Sequence, residues 1–413
     1  MMNKLLNRKT QAGFSLVELM ISLALGSVVS VGVIQLFVAN SETQALLTGQ
    51  SRMQESARFS LEFIGRQVRQ AGYRGCYSGT DDLESTITPI TNLPYEFDLS
   101  LGMQGYDATG VDVWTPALTE LPNTDADSAM GAVDNTVFKT TYGYGTGNGI
   151  DIGEVVSGTD VITFRHVSQT NARLGGFVHV LSGTEKFDGT YSEMPTTTEA
   201  LIVGVQDGWA EFDLDHIVMI HDCERATMFR VTTSNPWGRN GDGSPEAKTG
   251  NGDLTIGHDI ADADSTKNSE AKLAQTRTFG DDAAVSAIEA HIFFIAPGAG
   301  TNNDGNNPLS LWRKKGLEAP VELVEGVENL QILYGIDTNN DSVPNQYVGA
   351  NFVPSWTDVI TIRVTVIVNS IDNVGSTSLP SHGCAIQDCI TGEAFDGLLR
   401  RAFSQTIMLR NHG

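Results

Sequence analysis

An almost unbroken apolar run from Phe14 to Ala39, FSLVELMISLALGSVVSVGVIQLFVA, follows a short basic segment, MMNKLLNRKTQAG. Few folds accept such a run. Its 26 residues make a helix of roughly 39 Å, enough for a hydrocarbon core of about 30 Å, whereas a secretory h-region is only about 7–15 residues long. No A-x-A-like site follows it, so cleavage behind the run by ordinary signal peptidase is not expected. Lys4, Arg8 and Lys9 precede the run. By the positive-inside rule they keep the N-terminus in the cytoplasm and place the rest of the chain on the far side of the membrane.

Glu18 stands near the start of this helix. At full membrane depth a charged carboxylate costs about 2.5–3.5 kcal/mol. Glu18 therefore either reaches interfacial water or awaits a partner.

The string Gly13-Phe14-Ser15-Leu16-Val17-Glu18-Leu19 resembles the class III leader junction of type IV pilins and type II secretion pseudopilins. The resemblance implies that prepilin peptidase cuts after Gly13 and methylates the new amino group on Phe14. It implies too that Glu18, the fifth mature residue, pairs during assembly with the Phe14 amine of a neighbouring subunit. Opposite charges attract strongly in an apolar medium, and neither is tolerated there alone.

Beyond Asn40 the apolar residues Leu46, Met53, Ala57, Leu61, Ile64, Val68 and Ala71 fall on one helical stripe, interleaved with Arg52, Glu55, Arg58, Glu62, Arg66 and Arg69. The spacing predicts that the helix continues over 40–72 with a solvated charged face and ends at Gly72. After Gly72, short β-like runs lie between turn residues: Val161–Phe164, Phe177–Leu181, Ile217–Ile220, Met228–Val231, His291–Ile295, Leu330–Ile336, Val359–Val368 and Arg401–Leu409. Tracts 123–158 and 235–282 read as long surface loops. The expected fold is α+β and pilin-like: a long N-terminal helix on an antiparallel β-sheet domain with loop insertions. Its segments are a leader (1–13), a transmembrane and assembly helix (14–39), an amphipathic continuation (40–72) and one exported β-rich domain (73–413).

The helix end Arg69-Gln70-Ala71-Gly72-Tyr73-Arg74-Gly75-Cys76, the pair Asp222-Cys223, the tract Tyr334 to Asp341, and the terminal Arg400-Arg401-Ala402-Phe403 to Leu409-Arg410-Asn411 resemble PilW-type minor pilins. That resemblance implies a protein that primes type IV pilus assembly at or near the filament tip. Its implied partners are other minor pilins, the major pilin and a large tip adhesin. GspJ-type pseudopilins are the nearest alternative, and a membrane-anchored ligand-binding module that never polymerises is another.

The chain carries a formal net charge of −24. Loss of the three leader cations leaves −27 by the same count, which argues against nucleic acid as a general ligand. Four cysteines, Cys76, Cys223, Cys384 and Cys389, suit two disulfides in an oxidising compartment. Three pairings are open. The preferred one closes a small loop between Cys384 and Cys389 and leaves Cys76 for Cys223.

Asp337, Asn339 and Asp341 alternate like the first ligands of a calcium loop, with the Val343 carbonyl and Asn345 behind them. Ser342 replaces the usual glycine and Val348 the bidentate glutamate, so a polar β-turn is the stronger reading. His216, His221 and Cys223 read as strand residues and not as a metal site. No G-x-S-x-G, Walker A or H-E-x-x-H pattern occurs. The sequence gives catalysis no support and calls for no cofactor beyond the calcium option.

Overall fold

The structure is a computed structural model describing residues 15–77, 83–85, 87–88, 97–99, 101–118, 150, 154–181, 184–188, 200–204, 217–231, 233–239, 245–246, 253–257, 267–268, 279, 283–316, 318–373 and 398–411. One helix, α1 (Leu16–Gln70), runs unbroken for 55 residues, roughly 82 Å. The apolar run and the amphipathic continuation are thus a single rod. Its charged residues Arg52, Glu55, Arg58, Glu62, Arg66 and Arg69 are all exposed, while Met53, Ala57, Ile64 and Val68 are buried. The heptad-like stripe therefore becomes the seam against the body.

The β-strands that build the body are β1 (Met103–Gly110), β2 (Val161–Leu181), β3 (Ala200–Gly204), β4 (Ile217–His221), β5 (Ala226–Arg230), β6 (Thr233–Arg239), β7 (Asp253–Gly257), β8 (Ala284–Pro297), β9 (Leu309–Lys315), β10 (Val321–Glu325), β11 (Val327–Ile336), β12 (Gln346–Val348), β13 (Val359–Asn369) and β14 (Arg400–Met408). They form two principal sheets. In the larger, β5-β4-β8-β2-β3-β7-β6 pair antiparallel in that order, and the short strand Leu83–Ser85 adds in parallel to the outer edge of β5. β8 is its hub: β2 pairs along one edge, and β4 then β9 along the other. The smaller sheet, β12-β11-β13-β14, is also antiparallel.

β-Branched residues explain the central strand β13, VITIRVTVIVN. Alternation puts Ile362, Val364, Val366 and Val368 inside, where stiff side chains pack well on a pleated surface. They meet Leu330, Ile332 and Tyr334 of β11, Ile162 and Phe164 of β2, Phe293 and Ile295 of β8, and the buried stripe of α1 in one core.

Two expectations change. The runs Val161–Phe164 and Phe177–Leu181 are the two ends of one 21-residue strand, β2; the polar stretch between them reads as a break, but pairing with β8 and β3 carries the backbone through. The tract 235–282, expected as loop, contributes β7 and most of β6 to the large sheet. Tertiary pairing overrides its Gly- and Asp-rich composition. Most of tract 123–158 lies outside the described residues.

Candidate functional site

Ser15 caps α1, and its hydroxyl accepts from the Glu18 N–H at 3.3 Å, while the Glu18 carboxylate accepts from the Ser15 N–H at 3.4 Å. This reciprocal capping box satisfies two otherwise orphaned donors and places the acid where the positive end of the helix dipole favours it. Glu18 is thus held by its own chain at the helix tip, within reach of any amine brought there. Gly13 and Phe14 lie outside the described residues.

From Leu16 to Val38 the rod is bare. Leu16 is 75% exposed and Phe37 74%, and none of its most apolar stretch is buried. A contiguous apolar surface of this extent must be covered by lipid or by other chains. The helix is long and apolar enough to cross a membrane.

Its second half is fixed in the body. Gly65 faces Ile407 of β14, Ile64 and Val68 enter the shared core, and the C-terminal turn is closed from several directions. Gly72 adopts φ +73°, and its N–H donates to the Arg165 carbonyl at 2.9 Å. A Cβ here would collide with the Asn411 carbonyl oxygen, so only glycine combines this left-handed conformation with the close approach. The extreme C-terminus therefore packs on the helix exit.

Four residues further, Cys76 is joined to Cys223, with Cα atoms 4.8 Å apart. The disulfide ties the helix exit to the β4–β5 turn. His221 bonds Ser286 Oγ at 3.0 Å and is a sheet histidine, as its strand position implies. Cys384, Cys389 and His216 lie outside the described residues.

The Asp337 tract is the β11–β12 hairpin. Asp337 Oδ1 accepts from the N–H groups of Asn339, Asn340 and Asp341, and Oδ2 from that of Ser342. Burial opposes ionisation of this carboxyl, but the four N–H groups outweigh it and hold the pKa below the usual carboxylate value. Asn339 Nδ2 donates to Asp341 Oδ2, the Val343 N–H donates to Asp341 Oδ1, and Asn345 Oδ1 accepts from Thr338. Asn340 and Ser342 take positive φ, 59° and 63°. These bonds are those of a polar turn.

A cluster of His166, Glu289 and His291 was not singled out from sequence. The one local signal was Glu-x-His at 289–291, since two such residues share a strand face.

Comparison with known proteins adds two matches. Residues 8–34 match the family model described as the prokaryotic N-terminal methylation motif, a span that includes Gly13, Phe14 and Glu18. Residues 292–411 match the model described as type IV pilus-assembly protein W, which runs from within β8 through the whole smaller sheet to Asn411. No curated protein and no solved structure matches the chain.

Proposed function

We propose that this chain, a type IV pilin-like protein of pilus assembly by its two matched segments, is a minor pilin that primes filament growth and resides at or near the tip. The observation that carries this reading is the continuity of α1: a bare apolar half bearing Glu18 and a second half clamped into the body. Such a rod is anchored in the inner membrane with the body in the periplasm, and moves into a filament without refolding because its body contacts lie wholly in the second half.

In this reading prepilin peptidase cuts between Gly13 and Phe14. The new amine of one subunit then replaces the Ser15 N–H as the partner of Glu18 in another. The exchange substitutes a charge-assisted contact for a neutral one in an apolar medium, which strengthens it. It also sets the axial register, since an unpaired acid at that depth is costly. Other minor pilins and the major pilin would cover the remaining apolar surface, and an adhesin would be carried by the body.

The test is Glu18→Ala in cells. Cleavage should proceed, and the variant should be missing from sheared pili. Normal incorporation would overturn the assigned role. Deleting the gene should abolish piliation and leave type II secretion intact; the reverse pattern identifies a pseudopilin. A precursor of unchanged mobility in cells lacking prepilin peptidase would point to an anchored module that never polymerises.

A further inference from the structure

Where α1 ends against the large sheet, the apolar core gives way to a polar cluster on the same face. Glu289 and His291 are two residues apart on β8 and point the same way, and His166 of β2 stands directly opposite Glu289 in the ladder. Three ligand atoms, one from each residue, lie within 4.8 Å of one another, and His291 Nε2 is 3.3 Å from Glu289 Oε2. Ligands at about 2.0–2.1 Å around a tetrahedral ion are separated by roughly 3.3 Å. One edge of such a site is therefore already formed, and the His166 nitrogen completes a set of three ligand atoms within 4.8 Å of one another.

His166 Nδ1 faces the Val167 carbonyl at 3.2 Å, which can only accept, so Nδ1 carries the hydrogen and Nε2 presents its lone pair. That nitrogen is 3.1 Å from Gln67 Oε1 of α1, which also only accepts, so in this tautomer two lone pairs face each other with no proton between them. His291 is 3% exposed, and its Nδ1 has no hydrogen-bond partner among the described residues, so these do not close the cluster by their own bonds. Two neutral imidazoles and one carboxylate are the donor set of a zinc-class ion.

We propose that His166, Glu289 and His291 form a site for a zinc-class divalent cation, its fourth position facing Gln67, that fastens the last turns of α1 to the large sheet. Lys315, 3.9 Å from Glu289 Oε1 and partly exposed, is the cation that balances the acid when no metal is bound and must swing outward when one is. Arg313 adds positive charge from the same strand. The site therefore competes with a lysine, and removing that lysine should strengthen binding where an ordinary structural network would only be weakened.

The test uses the full-length mature chain in detergent, stripped with a chelator and then given zinc chloride alone. One zinc per chain should be retained, with a higher thermal midpoint. X-ray absorption of the zinc-loaded wild type should show two imidazoles. Lys315→Ala should bind several-fold more tightly, and His166→Ala with His291→Ala should bind none while circular dichroism shows a folded body. No retained zinc, zinc without imidazole ligands, or weaker binding by Lys315→Ala each overturns the proposal. The absorption measurement needs no variant, so misfolding of the double histidine variant leaves the test intact.

Discussion

Asp160, 3% exposed, gives the first residue-scale prediction. Its oxygens accept from the N–H groups of Ala108 and Ile332, yet burial, reinforced by the neighbouring carboxyl of Asp107, pushes its pKa up to about 8. The folded chain keeps this proton, and the unfolded chain loses it near pH 4. Folding therefore takes up a proton between those values. The contribution of Asp160 is fully present below about pH 4 and is lost as pH rises towards 8. His166, His221 and His291, all pushed below their usual values mainly by burial, act in the opposite sense below about pH 6.5. The Asp160 slope should thus be cleanest between about pH 6.5 and 8, where the thermal midpoint falls as pH rises. Asp107→Asn removes the neighbouring charge and should flatten that slope; an unchanged slope would show that Asp107 does not raise the Asp160 pKa. Gly72→Ala is the second residue-scale prediction. It adds a Cβ at positive φ against the Asn411 carbonyl, and should cost about 1–3 kcal/mol or more in denaturant unfolding.

At the scale of elements, the seam between α1 and the body should yield separately from the bare half of the helix. Ile64 is fully buried in the shared core, and Ile64→Ala should cost about 2–5 kcal/mol of body stability. Ile34→Ala, at a position 61% exposed, should leave unfolding of the body unchanged and act only on membrane residence or assembly. Chemical denaturation followed by tryptophan fluorescence separates the two, and equal effects would show that the rod is not divided in this way. This division was legible in the sequence because a 3.6-residue period survives in a helix whatever it packs against. Met53, Ala57, Ile64 and Val68 could be read off directly, as could the strand cores Ile217–Ile220 and Val359–Val368. The course of β2 through its polar middle, and the strands within 235–282, were not legible, since partners more than twenty residues away hold those segments extended. Glu18 stood out because an acid in an apolar run is costly unless it reaches water or a partner. The His166, Glu289 and His291 cluster was hidden by the long tract of chain between its two strands, which only the β2–β8 register brings together.

For the whole molecule, the consequence is a stiff rod joined to a body at a junction built from distant parts of the chain. The helix exit at Gly72 meets the C-terminus at Asn411 and strand β2 at Arg165, and a few residues later Cys76 bonds Cys223 across a sequence separation of 147. Closing so long a loop restricts the unfolded chain and contributes roughly 4–5 kcal/mol in the chain-entropy account, within a measured range of about 0–5. Unlike the seam contacts, this tether holds the β4–β5 edge of the large sheet, which lies outside the segment matched by the pilus-assembly family. Replacing both Cys76 and Cys223 by serine should therefore lower the thermal midpoint by several degrees and increase proteolysis near residues 217–231, while α1 keeps its helicity. Reductant should reproduce the loss in the wild type and add little in the double variant. Any loss that reductant still causes in the variant belongs to Cys384 and Cys389. If the double variant unfolds at the wild-type midpoint, the junction is held by packing at Gly72 and Asn411, and the disulfide adds no measurable stability.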